Sequence, residues 1–472
     1  MNKKLISLAV AAALVAPAAA MAEATLYGKL NVSLDYASVK NVVLPSYGFL
    51  RDPAGNIVLD PAGNPTLVQT APGEDFDGWG MSSSGYIPGE GRASRIGVKG
   101  SEDLGGGLKA IYQVEFGINL NDTNNNVINN ADAITMRNSF VGLAGGWGTF
   151  LMGRHDTPLK ISTAKLDLFA DTMADYNGTV GFQDLRADNA VAYISPSWAG
   201  FTFAAAVIPS GGATGGVSTG TGLRVTRDND GNVTDVSLTN QNGLNLNDNS
   251  IAGAYSLAAI YSNGPFYASL AYESLGNEHF NTQNTSLNFS DCPYTVVTPG
   301  SVASACDYVD SDATAWRAGL GILDWNGFTL AGIYEHRELV PGDDTYVSFT
   351  DLQNPLNSFY LPGGPDSADL WQIQAAYAFG NAQIKAMYGQ ADYEGSYSAG
   401  ANVIAGSGGT LAAQLLDNEY NYNVSTWAVG ADYNFSKRTK VYALYTDVDN
   451  DQSNIVAGSK WDGFSLGLMH SF

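Results

Sequence analysis

Apolar and polar positions alternate with a period of two along segment after segment of this chain, the repeat of a strand with each face in a different environment. Near the start, Leu26, Leu30, Val32, Leu34 and Tyr36 share one face, and Tyr27, Lys29, Asn31, Ser33 and Asp35 share the other. At the far end Phe464, Leu466, Leu468, His470 and Phe472 alternate with Gly463, Ser465, Gly467, Met469 and Ser471. The pattern predicts sixteen strands: 24–36, 94–103, 108–119, 135–143, 148–154, 189–194, 200–208, 251–261, 265–273, 314–323, 327–336, 370–379, 382–391, 422–435, 439–447 and 464–472. Their connections fall into two kinds. Short ones (104–107, 144–147, 195–199, 262–264, 324–326, 380–381, 436–438) carry the Gly, Asn and Pro of tight turns. Long polar ones occupy 38–91, 121–133, 155–187, 209–249, 275–312, 338–368, 392–421 and 448–460.

Short turns on one side and long loops on the other are the signature of a transmembrane antiparallel β-barrel. In lipid every backbone N–H and C=O must pair within the protein, so only helices or closed sheets can span. Tilted strands of about 9–11 residues suffice. The apolar face then looks out at lipid and the polar face in at water. Alternation alone also fits a soluble β-sandwich or propeller, which would lack the long/short asymmetry and, at this size, would divide into domains.

Composition sharpens this. The 472 residues include 46 Asp+Glu against 23 Lys+Arg, a net charge of −23. That disfavours nucleic acid as a partner, since phosphate attraction needs a basic face. With 45% hydrophobic and 11% aromatic residues the chain is not expected to be disordered. A mean hydropathy of −0.07 is wrong for a helical membrane protein. The 25 tyrosines suit a membrane–water interface, with an apolar ring and a wet hydroxyl. Residues 1–22 read as an export signal: basic Lys3-Lys4, an apolar run from Leu5, and Ala20-Met21-Ala22 before the cut. Its removal takes two lysines and no acid, leaving −25 on a single unit of 23–472. Cys292 and Cys306, with 13 residues between them, are expected to form a loop disulfide in an oxidising compartment. The scattered histidines show no metal spacing, and neither a metal nor a cofactor is expected.

Several motifs carry a resemblance. They are Ala24-Thr25-Leu26-Tyr27-Gly28, then Ser94-Arg95-Ile96-Gly97-Val98-Lys99-Gly100-Ser101-Glu102-Asp103-Leu104-Gly105, and Arg137-Asn138-Ser139-Phe140-Val141-Gly142-Leu143. Gly153-Arg154-His155-Asp156-Thr157-Pro158 and Asp171-Thr172-Met173-Ala174-Asp175-Tyr176-Asn177 follow, with terminal Phe472. Together they resemble the general Gram-negative porins of the sixteen-stranded, trimeric type, densely over 94–201 and at both ends, and elsewhere only as pattern. Loops 38–91, 209–249 and 392–421 are long for that family.

The resemblance implies a water-filled outer-membrane channel for passive diffusion, a homotrimer set in outer-membrane lipid and lipopolysaccharide, and Phe472 as a signal to the barrel assembly machinery. It also implies that the third loop, 155–187, folds into the barrel. Its Asp167, Asp171, Asp175 and Asp184 would form an acidic edge, and Thr157-Pro158 and Asn177-Gly178 its bends. Alternation puts Arg95 and Lys99 on the face opposite Ile96 and Val98, and Arg137 and Ser139 opposite Phe140, which predicts a basic wall of Arg95, Lys99 and Arg137. Arg154 is a further candidate, although it shares parity with Phe150 and Met152; Arg92 is another. The rival readings are a substrate-specific channel, an outer-membrane enzyme, for which no Ser-His-Asp-like set stands near a strand end, and a secreted β-rich binding protein.

Overall fold

A computed structural model describes residues 23–43, 46–54, 56, 58, 66–83, 93–121, 134–209, 222–227, 233–239, 251–275, 295–298, 301–304, 313–338, 346–350, 358–397, 421–451 and 458–472. The 1–22 segment, Arg92, Cys292 and Cys306 lie outside the described residues.

All sixteen expected strands form. They are β1 (Glu23–Val43), β2 (Glu74–Ser82 and Arg95–Gly105), β3 (Leu108–Ile118), β4 (Ile134–Met136 and Ser139–Gly145), β5 (Gly148–Asp156), β6 (Arg186–Ile194), β7 (Phe201–Ile208) and β8 (Ala254–Asn263). Then come β9 (Phe266–Ser274), β10 (Thr314–Trp325), β11 (Phe328–Glu338), β12 (Ser358–Phe379), β13 (Ala382–Tyr397), β14 (Tyr422–Asn434), β15 (Thr439–Asn450) and β16 (Trp461–Ser471). Each pairs antiparallel with its sequence neighbours, and β1 pairs with β16 from Lys29↔Ser471 to Val39↔Trp461, so the sheet closes with no free edge. Hydrogen bonds between Gly28 and Phe472, 3.1 Å in each direction, complete the seam. At the β10–β11 turn Asn326 and Gly327 both take left-handed φ, +54° and +87°, the pairing that matches strand twist in a tight hairpin.

The two faces follow the alternation. Leu26, Val141, Leu320 and Leu466 point outward and are half or more exposed, whereas Asn31, Ser33, Gln372, Gln374, Thr426 and Thr446 point inward and are buried. Only a protein whose outer solvent is hydrocarbon presents leucine this way round. Toward the long-loop side the outer face carries an aromatic girdle. Its ring pairs include Tyr36–Trp79, Trp316–Tyr334, Trp371–Tyr388 and Trp427–Tyr445, with centroids 4.9–5.5 Å apart.

Two local readings are corrected. The stretch 38–91 is not one loop, because Glu74–Ser82 pairs with β1 from Ser33↔Ser82 onward and forms the upper half of β2. Its Asp75, Asp77, Gly78 and Gly80 obscure the alternation. The first part of β2 ends at Ser82 and the second begins at Arg95, and beside the second the Ser94 hydroxyl accepts from Asn31 N and donates to Asn31 O, both 2.9 Å. In β4 a bulge lies between Phe116↔Met136 and Gln113↔Phe140. The extra residue reverses the parity, so Arg137 and Phe140 both face inward and Ser139 faces outward.

Candidate functional site

Residues 157–185 leave the top of β5 and lie along the inner wall. Thr157 caps helix α1 (Pro158–Thr163), its hydroxyl accepting from Lys160 N, and proline at the first turn forfeits no helical hydrogen bond. Asp175 likewise caps the short helix α2 (Tyr176–Thr179) through Asn177 N. The segment therefore turns where its Thr-Pro and Asn-Gly pairs stand.

Contacts trace its path. Leu159 N donates to Ser256 Oγ of β8 at 3.0 Å, and Tyr267 Oη of β9 donates to Ser162 O at 2.8 Å. Leu168 N donates to Gln374 Oε1 of β12 at 2.7 Å, and Lys385 Nζ of β13 donates to Leu168 O at 2.8 Å. Asn31 Nδ2 of β1 donates to Asp171 O at 2.6 Å. On the way back, Gln183 N donates to Glu335 Oε1 of β11 at 3.0 Å. The apolar side of the loop (Leu159, Leu166, Phe169, Met173, Ala174, Val180, Phe182) is buried against the inner wall of β7–β16 and β1 and within its own turns. Its less buried edge carries Lys160, Asp171, Asn177 and Asp184.

The strongest anchor belongs to no motif of the sequence. Arg317 of β10 is fully buried and reaches Glu335 through Nε and Nη2, both at 2.5 Å. It also donates to Thr163 Oγ1 at 3.0 Å, to Leu159 O at 3.5 Å, and to Gln183 O. Arg337 adds Glu335 at 2.7 Å and Gly181 O. Gln183 Nε2 donates to Glu273 Oε1 at 2.5 Å. The available signal is parity: Arg317, Glu335 and Arg337 stand on the inward faces of strands whose outward faces are apolar or aromatic.

Across from the loop edge stands the β1–β6 wall. Arg95 Nη1 lies 3.7 Å from Asp171 Oδ2, and its Nε lies 3.9 Å from Glu115. Arg137 Nε binds Glu115 Oε1 at 2.8 Å, and Tyr27 Oη donates to Glu115 Oε2 at 2.9 Å. Lys29, which the sequence reading does not single out, pairs with Asp171. A second group joins Asp156 to Arg186 at 3.0 Å and Lys160 at 3.3 Å, with Lys160 also 2.9 Å from Asp184.

Of the expected wall, Arg95 and Arg137 come together here. Lys99 faces inward farther toward the short turns, over the Tyr27 ring at 4.9 Å. Arg154 is outside the group, because its register with Ser139 puts it on the outward face, where it pairs with Asp188. Of the expected loop carboxylates, Asp171 and Asp184 face cations. Asp167 and Asp175 are buried within the loop. Asp167 accepts from Phe169 N at 2.9 Å, and Asp175 accepts from Asp171 N at 2.7 Å and Asn177 N at 3.2 Å. Burial pushes the Asp167 carboxyl up to about 6, and burial followed by the neighbouring Asp167 and Asp184 charges raises Asp175. Asp171 holds φ +61°, a left-handed conformation uncommon for a non-glycine residue.

No three metal-ligand side chains gather among the described residues. His155 Nδ1 contacts its neighbour's backbone oxygen, Asp156 O, at 2.8 Å, so His155 and Asp156 form no side-chain dyad. The arrangement is a polar passage narrowed by a docked loop.

The chain is 26% identical over 447 residues to the major outer membrane protein P.IB of Neisseria gonorrhoeae, covering 93% of this chain and 91% of that protein. It is 24% identical to an outer membrane porin protein of Bordetella pertussis, covering all of both. Among solved structures, the anion-selective porin from Comamonas acidovorans aligns with a TM-score of 0.51 at 18% identity, over 95% of this chain and 99% of that one. Salmonella typhi OmpF in complex with daunomycin gives 0.51 at 14%, over 95% and 97%. A Gram-negative porin family model matches residues 8–453. With a closed sixteen-stranded barrel, lipid-facing leucines and an inner polar passage, the chain belongs to the Gram-negative porin family: it is an outer-membrane channel for passive diffusion of small hydrophilic solutes and ions, and not an enzyme.

Proposed function

We propose that the passage bordered by the Asp171 edge of the loop and by the Lys29–Arg95–Arg137 wall that it touches is the constriction that sorts solutes. The observation carrying this reading is the meeting of wall cations on β1 and β2 with the loop carboxylate Asp171, beside Arg137. Opposed charges across a narrow aqueous gap create a transverse field. Polar solutes orient in it, apolar ones lose the water dipoles they displace, and the sign of the surplus sets ion preference. Lys29, Arg95 and Arg137 stand against Glu115 and Asp171, while Arg186 and Lys160 balance Asp156 and Asp184. The surplus is one positive charge, which favours anions weakly. The anion-selective porin from Comamonas acidovorans, which shares the fold, is in keeping with this sign.

Residues 1–22 are a cleaved export signal and 23–472 the mature barrel. The mature chain assembles as a homotrimer within outer-membrane lipid and lipopolysaccharide, with Phe472 read by the barrel assembly machinery. Planar-bilayer recording tests the constriction. Purified protein should give stable channels closing in three steps, with a modest anion preference in a KCl gradient. Absence of conductance, or strong cation preference, would refute it.

A further inference from the structure

The arginine wall contains its own counter-ion. Glu115 sits on β3, inward and only 6% exposed. Its Oε1 takes Arg137 Nε at 2.8 Å; its Oε2 takes the Tyr27 hydroxyl at 2.9 Å and faces Arg95 Nε at 3.9 Å. Its backbone N donates to Ser139 Oγ at 3.2 Å, and its backbone O accepts from Arg137 N at 2.9 Å across the β4 bulge. The register above the β4 bulge, with Thr135 opposite Gly117, sets Arg137 opposite Glu115 and brings its side chain onto this carboxylate. The Tyr27 ring beneath carries Lys99 at 4.9 Å. The Glu115 carboxylate thus ties three side chains, one each from β1, β2 and β4, into one unit.

We infer that Glu115 is a specificity-determining residue of the channel: a fixed wall carboxylate that holds anion preference down and keeps Arg95 and Arg137 from binding passing anions tightly. The inference rests on the constriction proposed above. Asp171 sits on a loop and neutralises Lys29, whereas Glu115 sits on a closed sheet and cannot move away. Without it, two guanidinium groups would face the passage with one loop carboxylate between them. A solute bearing carboxylate or phosphate would find paired donors there. Such a site would hold anions longer and slow their release, because conduction needs binding weak enough to leave.

The test is a charge cycle in planar bilayers with the full-length trimer: wild type, Glu115→Gln, Arg137→Gln, and the double variant. A unit charge beside the ion path, in water and partly screened, changes the anion-to-cation permeability ratio about two- to fivefold. Glu115→Gln should raise the ratio by that factor, and Arg137→Gln should lower it. The double variant, with the original charge sum, should return near wild type. Inorganic phosphate added to Glu115→Gln should reduce chloride current at concentrations that leave wild type unaffected. Should Glu115→Gln fail to assemble, the double variant compared with Arg137→Gln reads the same increment. An unchanged ratio on losing Glu115, in either background, overturns the inference. If Arg137→Gln shifts the ratio in that case, the constriction itself stands; if neither residue matters, the constriction reading fails too.

Discussion

Replacing Arg317 with Met removes the main tie between the third loop and the wall, and its cost can be worked from the contacts. Arg317 is fully buried and makes hydrogen bonds to Thr163 Oγ1, Leu159 O and Gln183 O, all in the loop, besides its bond to Glu335. Methionine fills much of the volume but satisfies none of these acceptors, and each orphaned group costs about 1 kcal/mol net. Breaking a buried ion pair from one side typically costs about 3–5 kcal/mol, but Glu335 keeps Arg337 at 2.7 Å and Gln183 N at 3.0 Å, which moderates that loss. About 3 kcal/mol of loop docking is the expected deficit, and each ~1.4 kcal/mol is tenfold, so undocked loops should become about a hundredfold more frequent. The barrel ladder is untouched, so trimers should still assemble. Single-channel recording should show frequent excursions to a larger conductance, and liposome swelling should admit larger sugars. Arg317→Met with Glu335→Leu, which removes both charges, should be quieter than the single variant. A single variant with wild-type noise and sugar cut-off would refute the anchoring role.

Further outcomes follow from the same geometry. Neutralising Arg95 and Arg137 together to Gln should move the reversal potential in a KCl gradient toward cations; an unmoved value removes them from the ion path. Asp171→Asn keeps a residue that tolerates left-handed φ while freeing Lys29 and Arg95 of their loop counter-charge, so it should increase anion preference without destabilising the trimer on gels. Asp167 and Asp175 have raised carboxyls, so the docked loop binds their protons more tightly than an undocked one. Lowering pH from 7 through about 6 should therefore stabilise docking, with no further gain below the ordinary carboxylate range, and channel noise should fall on acidification. Cys292 and Cys306 should be linked in protein taken from the membrane under alkylating conditions, and peptide mapping without reductant will show the cross-link or two alkylated thiols.

Much of the barrel is legible in the sequence, because a strand between lipid and water must alternate, and Leu26 to Tyr36 or Phe464 to Phe472 have no other way to satisfy both sides. Legibility fails where alternation is broken for a local reason. In Glu74–Ser82 outward acids lie above the hydrocarbon, so they carry no apolar signal. At Arg137 a single extra residue shifts the register, so strict alternation turns Arg137 inward correctly and Phe140 outward wrongly. The proposed constriction is half legible: parity finds Arg95, and the loop motif finds Asp171. Lys29 and Glu115 escape because nothing along the chain says that a wall lysine meets a loop aspartate 142 residues away, or that a β3 carboxylate lies between two arginines. Asp167 and Asp175 look like Asp171 in sequence. Only the capping geometry, in which they accept backbone N–H groups inside the loop, separates structural carboxylates from the one at the passage.

The net charge of −23 takes on a different meaning once the register is known. Two residues beyond the aromatic girdle, on the same outward face, stand Asp77 above Trp79, Asp369 above Trp371, Asp447 above Tyr445 and Asp462 above Phe464. Asp447 and Asp462 are direct cross-strand neighbours, and Tyr445 donates to Asp462 at 3.0 Å. Like charges opposite one another in a sheet are destabilising, and they persist where water and counter-ions screen them, at the level just outside the hydrocarbon. These acids are separated from the passage by the sheet itself and by a Debye length of about 8 Å at physiological salt. Part of the chain's negative charge is thus written on its outer surface, while at the proposed constriction the sign is set by the difference among Lys29, Arg95, Arg137, Glu115 and Asp171. A reading of selectivity from total charge would give cations. At the proposed constriction, the local sum of Lys29, Arg95 and Arg137 against Glu115 and Asp171 predicts a weak preference for anions, because the wall supplies a carboxylate that nearly cancels it.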